Sequence, residues 1–123
     1  MQKRALVLDD MEIARITIST FLTFCGFEVD SGKNALEGLK FLSEKKYDLI
    51  FSEVKLPVMN GFDFLKRIKE SPRYKDIPLI FLTSTNGDGN IERAISLGAS
   101  SYIKKPYNRQ RMVSALKILG FLV

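Results

Sequence analysis

Histidine is absent from the 123 residues, which removes Ser-His and Cys-His nucleophilic triads, His-ligated zinc, and histidine phosphotransfer with this chain as donor. A single cysteine, Cys25, excludes a disulfide scaffold, and an unpaired thiol suits a reducing cytosol. No apolar run approaches the roughly 18 to 20 residues that a membrane span requires. The start, Met1 to Arg4, leads into only four apolar residues before Asp9, which is the pattern of neither a signal peptide nor a span. The expected location is the cytoplasm.

What is present is ordinary for a globular chain: 46% hydrophobic and 27% charged residues. At this length one domain, residues 1–123, is expected, burying roughly two thirds of the unfolded surface without help from disulfides or structural metals. Nineteen basic and fourteen acidic residues give a net charge of +5, which suits an acidic protein surface or nucleic acid without choosing between them. The basic stretches, Lys66 to Lys75 and Lys104 to Lys117, read first as solvated faces.

Short apolar runs alternate with helical spacing along the chain. Ala5 to Leu8, Leu49 to Ser52 and Leu79 to Leu82 are continuous apolar runs, as strands covered on both faces require, with Phe27 to Asp30 and Ser101 to Ile103 as shorter candidates. Between them, Ile13, Ile16, Thr20, Phe21 and Phe24 mark one helical face, and Gly26 ends that helix. Ala35, Leu39 and Leu42 mark a second helix and Phe62, Leu65 and Ile68 a third; Ile91, Ala94 and Ile95 mark a fourth, and Met112, Val113, Leu116 and Leu119 a fifth. Strict alternation implies right-handed crossovers and an α/β fold: a three-layer, doubly wound parallel sheet of five strands with five helices. Ligands in such folds sit outside the carboxyl ends of the strands, where the strand order switches.

The residues at those ends form a set. Asp9 and Asp10 follow the first strand, Glu53 the third, Thr83 with Ser84 and Thr85 the fourth, and Lys104 and Lys105 the fifth. Three crowded carboxylates repel unless a cation holds them, and a hard divalent ion such as Mg2+ satisfies oxygen ligands. A lysine and a hydroxyl beside them suit phosphate handling. Each element has a plainer reading: the Asp pair as a helix cap, Lys105 before Pro106 as a turn lysine, Thr83 as a loop threonine. The joint occurrence is what points to a site.

These segments resemble the response-regulator receiver domain of bacterial two-component signalling, a chemotaxis-receiver-like module: ALVLDD at the start, LIFSEVKLPVMNGFDFL from Leu49, IPLIFLTS from Ile77 and GASSYIKKP from Gly98. The resemblance covers essentially the whole chain and implies strand order 2-1-3-4-5, as in flavodoxin-like folds. It implies that Asp9 and Asp10 position Mg2+ together with the carbonyl of Lys55, and that Thr83 is the switch hydroxyl. Lys105 would pair with the phosphoryl group through a cis bond to Pro106, and Tyr102 would be the aromatic that swings inward on activation. A partner surface is implied on the fourth helix, fifth strand and fifth helix, where Arg93, Lys104, Arg109, Arg111 and Lys117 predict an acidic partner.

The departure is Glu53, which stands where the family has the phosphoacceptor aspartate. One extra methylene displaces the carboxylate by about 1.5 Å, and in-line transfer loses on the order of a hundredfold for a misplacement of about 1 Å. The expectation is a phosphorylation-independent receiver. Glu53 then either imitates phosphate, with about one charge against nearly two, or pairs with Lys105 and weakens or abolishes Mg2+ binding. Asn60 before Gly61, where aspartate is commoner, tolerates the same turn, and Gly87 with Gly89 predicts a mobile loop beside Thr83. Cys25 and the apolar ending from Ile118 to Val123 are expected to pack on the domain. The expected partners are a histidine kinase or a downstream signalling protein, met by a monomer or weak dimer that is not itself an enzyme. Four alternatives stay open: a conventional phosphorylatable receiver, a basic nucleic-acid binder, a magnesium-dependent phosphatase on the same fold, and an inert Glu53–Lys105 pair.

Overall fold

In the computed structural model, which describes residues 2–84 and 90–122, strands and helices alternate through the chain. They are β1 (Arg4–Leu8), α1 (Glu12–Phe24), β2 (Glu28–Gly32), α2 (Ala35–Glu44), β3 (Leu49–Ser52), α3 (Gly61–Glu70), β4 (Leu79–Thr83), α4 (Asn90–Ser96), β5 (Ser101–Lys104) and α5 (Arg109–Ile118). The strands form one parallel sheet in the order β2-β1-β3-β4-β5, as the alternation of elements and the resemblance imply.

Side-chain alternation along each strand feeds two cores. Leu6 and Leu8, Ile50, and Leu79 and Phe81 face α2, α3 and α4, where they meet Leu42, Phe64, Leu65 and Ala94. Ala5 and Val7, Leu49 and Phe51, and Ile80 and Leu82 face α1 and α5, where they meet Ile18, Leu22, Met112 and Leu116. The inner strands β1, β3 and β4 are therefore buried on both faces and read as unbroken apolar runs. The edge strands β2 and β5 are only partly covered, which is why their sequences are short and mixed.

The structure corrects two helix faces. Ile13, Ile16 and Phe24 are exposed, and α1 packs through Ile18 and Leu22 with Phe21 and Cys25 half-buried beside them. Residues 18, 21, 22 and 25 repeat at helical spacing just as 13, 16, 20 and 24 do, so α1 carries two apolar stripes and periodicity alone had no means to choose between them. On α4, Ala94 is buried while Ile91 and Ile95 face outward, because a helix this short lays little more than one side chain on the sheet. Elsewhere the faces hold: Ala35 and Leu42 on α2, Phe62, Leu65 and Ile68 on α3, Met112 and Leu116 on α5. The tail folds back, with Phe121 edge-on to Phe27 at 5.4 Å, although Ile118 points outward. The loop expected to be mobile, at Gly87 and Gly89, lies outside the described residues, as does Thr85.

Candidate functional site

The strand order reverses between β1 and β3, so the crevice at their carboxyl ends is the natural binding position. Backbone rungs continue past the strand ends and fix three side chains there. Asp9 N–H donates to Gly32 O at 3.1 Å, Glu53 N–H to Leu8 O at 2.9 Å, and Lys105 N–H to Thr83 O at 2.8 Å. Each functional residue thus takes its orientation from the sheet rather than from a free loop.

Their side chains meet. Lys105 Nζ donates to Asp9 Oδ2 at 2.6 Å and to Glu53 Oε2 at 3.3 Å. Both carboxylates are buried, Asp9 at 1% and Glu53 at 6% relative exposure, and the Lys105 side chain retains 19%. The other oxygens are also engaged: Asp9 Oδ1 accepts from Met11 N–H at 3.0 Å, and Glu53 Oε1 accepts from Val54 N–H at 2.7 Å and Lys55 N–H at 3.4 Å. Burial alone would lower the affinity of the Lys105 amine for its proton. The hydrogen bond and charge of Asp9, joined by those of Glu53, outweigh that cost and hold its pKa above the ordinary 10.5.

The remaining expected residues take distinct places. Thr83 is buried at the end of β4, and Tyr102 is half-buried on β5 with its ring edge-on to Phe81 at 6.2 Å. Burial raises the Tyr102 phenol pKa, a hydrogen bond with the Asn90 side chain opposes the shift, and the charge of Glu53 adds to it. The Lys105-Pro106 peptide is cis. Asp10 is exposed, as are Lys55 and Lys104, and of the three Lys55 alone reaches the Asp9-Glu53-Lys105 cluster, through its backbone amide. The plainer reading of the Asp pair as a helix cap does not hold, because Met11 stands at the N-cap of α1, makes no side-chain cap, and receives a turn from Asp9, whose Oδ1 accepts from the Met11 amide.

All five expected partner-surface cations, Arg93, Lys104, Arg109, Arg111 and Lys117, are exposed. Arg93 lies over the Phe62 ring at 4.5 Å and Arg109 over the Phe24 ring at 5.2 Å. Cys25 is half-buried rather than fully interior, and burial pushes its thiol pKa up against the opposing pull of Arg109.

Four supporting residues carry little or no sequence signal. Arg15 Nη1 donates to Asp9 O at 2.7 Å, fastening the start of α1 to the pocket across six residues of unremarkable sequence. At Gly61, a Cβ would fall 2.5 Å from Glu53 O and 2.8 Å from the Phe81 ring, so only glycine lets α3 start against the acceptor loop. Asn60 caps that helix by accepting from Asp63 N–H at 2.9 Å, and the Asn-Gly pair is the one legible trace of this packing. Val58 holds φ at +75°, a region that β-branched residues avoid, and it does so in the loop just after Glu53.

Receiver domains bind Mg2+ in the acidic pocket at this edge of the sheet. Here the inward oxygens of Asp9 and Glu53 are committed to an ammonium group and to backbone amides, and no group of three potential ligands is gathered among the described residues. Lys105 already supplies positive charge to both carboxylates, and a divalent cation held by Asp9, Asp10 and Glu53 would compete with it.

Comparison with known proteins agrees with this architecture. The family model described as response regulator receiver domain matches residues 5–117. A probable chemotaxis protein CheY of Rhizobium etli is 30% identical over 115 residues, covering 93% of this chain and 89% of that protein. The transcriptional regulatory protein CrdR of Helicobacter pylori is 32% identical over 117 residues, and there the match covers 95% of this chain but 54% of the longer protein. The solved structure of the chemotaxis response regulator CheY4 of Vibrio cholerae superposes with a TM-score of 0.87 at 28% identity, covering 97% of this chain and 99% of that one. With the sheet order, the pocket at its switch point and these matches together, the chain belongs to the response regulator receiver family of two-component signalling.

Proposed function

We propose that this receiver domain works without phosphorylation, as a protein-binding module whose acceptor pocket is held closed by its own residues. The observation that carries the reading is the bridge from Lys105 Nζ to Asp9 at 2.6 Å and Glu53 at 3.3 Å. A phosphodonor needs a carboxylate oxygen aligned for in-line attack and a cation to gather the transferring charge. Glu53 has one oxygen turned back on the amides of Val54 and Lys55 and the other on Lys105. Divalent-ion binding by Asp9, Asp10, Glu53 and the Lys55 carbonyl is correspondingly weakened. In this reading Thr83, buried at the end of β4, and Tyr102, half-buried on β5, serve as the switch residues, with Glu53 supplying about one negative charge in place of the nearly two of a phosphoryl group.

On this reading the chain is a non-enzymatic, cytoplasmic signalling domain spanning residues 1–123, and a histidine kinase or downstream signalling protein is its partner. The test is intact mass after incubation with acetyl phosphate and Mg2+, for the protein and its Glu53→Asp variant. A phosphoryl adduct on the variant alone is the expected result. An adduct on the unmodified protein that maps to Glu53 refutes the proposal and makes the chain a conventional switch.

A further inference from the structure

A second cleft opens at the other edge of the sheet, where β3 and β4 begin rather than end. It has a volume of about 240 Å3 and lies between the α2–β3 connection, Lys45 to Asp48, and the α3–β4 connection, which contributes Arg73, Tyr74 and Ile77. Backbone hydrogen bonds fix both walls. Asp48 N–H donates to Arg4 O at 2.8 Å, and Asp48 Oδ2 accepts from Arg4 N–H at 2.9 Å. Opposite, Tyr74 N–H donates to Ser71 O at 3.1 Å and Ile77 N–H to Tyr74 O at 3.0 Å. A cleft held in this way is formed before any ligand arrives, so little ordering entropy is lost on binding.

The floor is aromatic and the rim is cationic. Tyr47 is buried with its hydroxyl donating to Asp30 at 2.6 Å, and Tyr74 and Ile77 pack half-buried against the same core. Lys45, Lys46 and Arg73 are exposed. Lys45 is shared with Asp30 at 3.2 Å, whereas Lys46 and Arg73 form no ion pair among the described residues. The Arg73 guanidinium instead lies over the Tyr74 ring at 5.4 Å. Two further polar groups, Asp48 Oδ1 and the Tyr74 hydroxyl, have no hydrogen-bond partner among the described residues.

Each of these features selects part of a ligand. Two unpaired cations suit a phosphate, which accepts hydrogen bonds from both. Tyrosine rings beside a stacked guanidinium suit a planar base. The free carboxylate oxygen of Asp48 can only accept, and an exocyclic amino group is the donor that a base offers. A nucleic-acid strand fits less well, because exposed Glu44 and Asp76 adjoin the two lining segments and would repel the next phosphate along the chain.

We propose that the cleft between the α2–β3 and α3–β4 connections binds a nucleoside monophosphate with an amino-bearing base, its phosphate toward Lys46 and Arg73 and its base on Tyr47 and Tyr74. The site is separate from the acceptor pocket and independent of Glu53.

The probe is adenosine 5′-monophosphate, titrated into the 15N-labelled protein beside its two halves, adenosine and inorganic phosphate. The expected result is saturable amide shifts confined to residues 42–48 and 71–77, with each half binding roughly tenfold more weakly than the whole. Lys46→Glu with Arg73→Glu, both on exposed side chains, should lower affinity by roughly tenfold while the circular dichroism spectrum is kept. Lys104→Glu with Arg111→Glu makes the same change in net charge away from the cleft and should leave affinity unaltered. Inosine 5′-monophosphate, with a carbonyl in place of the amino group, should bind more weakly. Asp48→Asn keeps an oxygen for Arg4 N–H, turns an amide donor to the cleft, and should narrow or reverse that preference. The proposal is overturned by no saturable shift at millimolar ligand, by phosphate binding as tightly as the monophosphate, or by shifts centred on Asp9, Glu53 and Lys105. Tighter binding of oligoadenylate than of the monophosphate would overturn it in favour of a nucleic-acid surface.

Discussion

Replacing Lys105 with methionine keeps the aliphatic stem and removes the charge, and the expected cost follows from what is left behind. Asp9 and Glu53 would remain buried as two neighbouring carboxylates with no cation between them. Breaking a buried ion pair by deleting one partner costs about 3–5 kcal/mol, against about 0–1 kcal/mol for an exposed pair. Lys105 is largely but not wholly covered, which places the expected loss near the lower end, roughly 3 kcal/mol. Urea denaturation at pH 7 measures it as a shift in midpoint at constant slope. Adding Glu53→Gln to Lys105→Met should recover part of the loss, since one of the two stranded charges is gone. The alkaline limb supplies an independent check. The Lys105 pKa is raised on folding, so its stabilising contribution is complete below the unfolded value of 10.5 and disappears as pH climbs through the higher folded value. Tyr47, whose phenol is also raised by burial and by its bond to Asp30, loses stability in the same direction above about pH 10, and Lys105→Met should flatten only the lysine part. A loss below 1 kcal/mol at pH 7, with an unchanged alkaline limb, would show that the bridge is an ordinary surface pair and would sink the argument.

Three further outcomes test the surrounding structure. Val58→Gly should stabilise the protein by about 1 kcal/mol by relieving the left-handed backbone of a β-branched residue; a loss of midpoint would mean that the +75° φ carries no strain. Gly61→Ala should destabilise by roughly 1–3 kcal/mol despite the better helix propensity of alanine, because its Cβ meets Glu53 O and the Phe81 ring. Leu22→Ala should cost about 2–5 kcal/mol and Ile16→Ala less than about 0.5 kcal/mol, and equal costs for the two would contradict the observed face of α1.

The inner strands were legible because burial on both faces forces continuous apolar runs, and Ala5 to Leu8 and Leu79 to Leu82 needed no further information. The sheet order then located the pocket, since Asp9, Glu53 and Lys105 each sit one residue past a strand. The face of α1 was not legible, because Ile16 and Ile18 are equally apolar and only the sheet that α1 packs on decides which is covered. Nor was the direction of the Glu53 carboxylate. The sequence leaves a metal cluster and a lysine bridge both open, and the outcome depends on side-chain torsions that no spacing rule reports. Gly61 shows the same limit, since its role is set by Phe81, which lies 20 positions further along the chain.

The bridge between Lys105 and Asp9 joins residues 96 positions apart, and this bears on the order in which the molecule is completed. Asp9 and Glu53 belong to strands in the middle of the sheet, whereas Lys105 arrives with β5 at its edge, the last strand to be synthesised. Contacts of such long range form late, after the chain entropy of the intervening segment has been given up. Until β5 docks on β4, the forming core holds two carboxylates without a counter-charge, which disfavours closing the crevice around them. The charges of the pocket balance only once the final strand is in place.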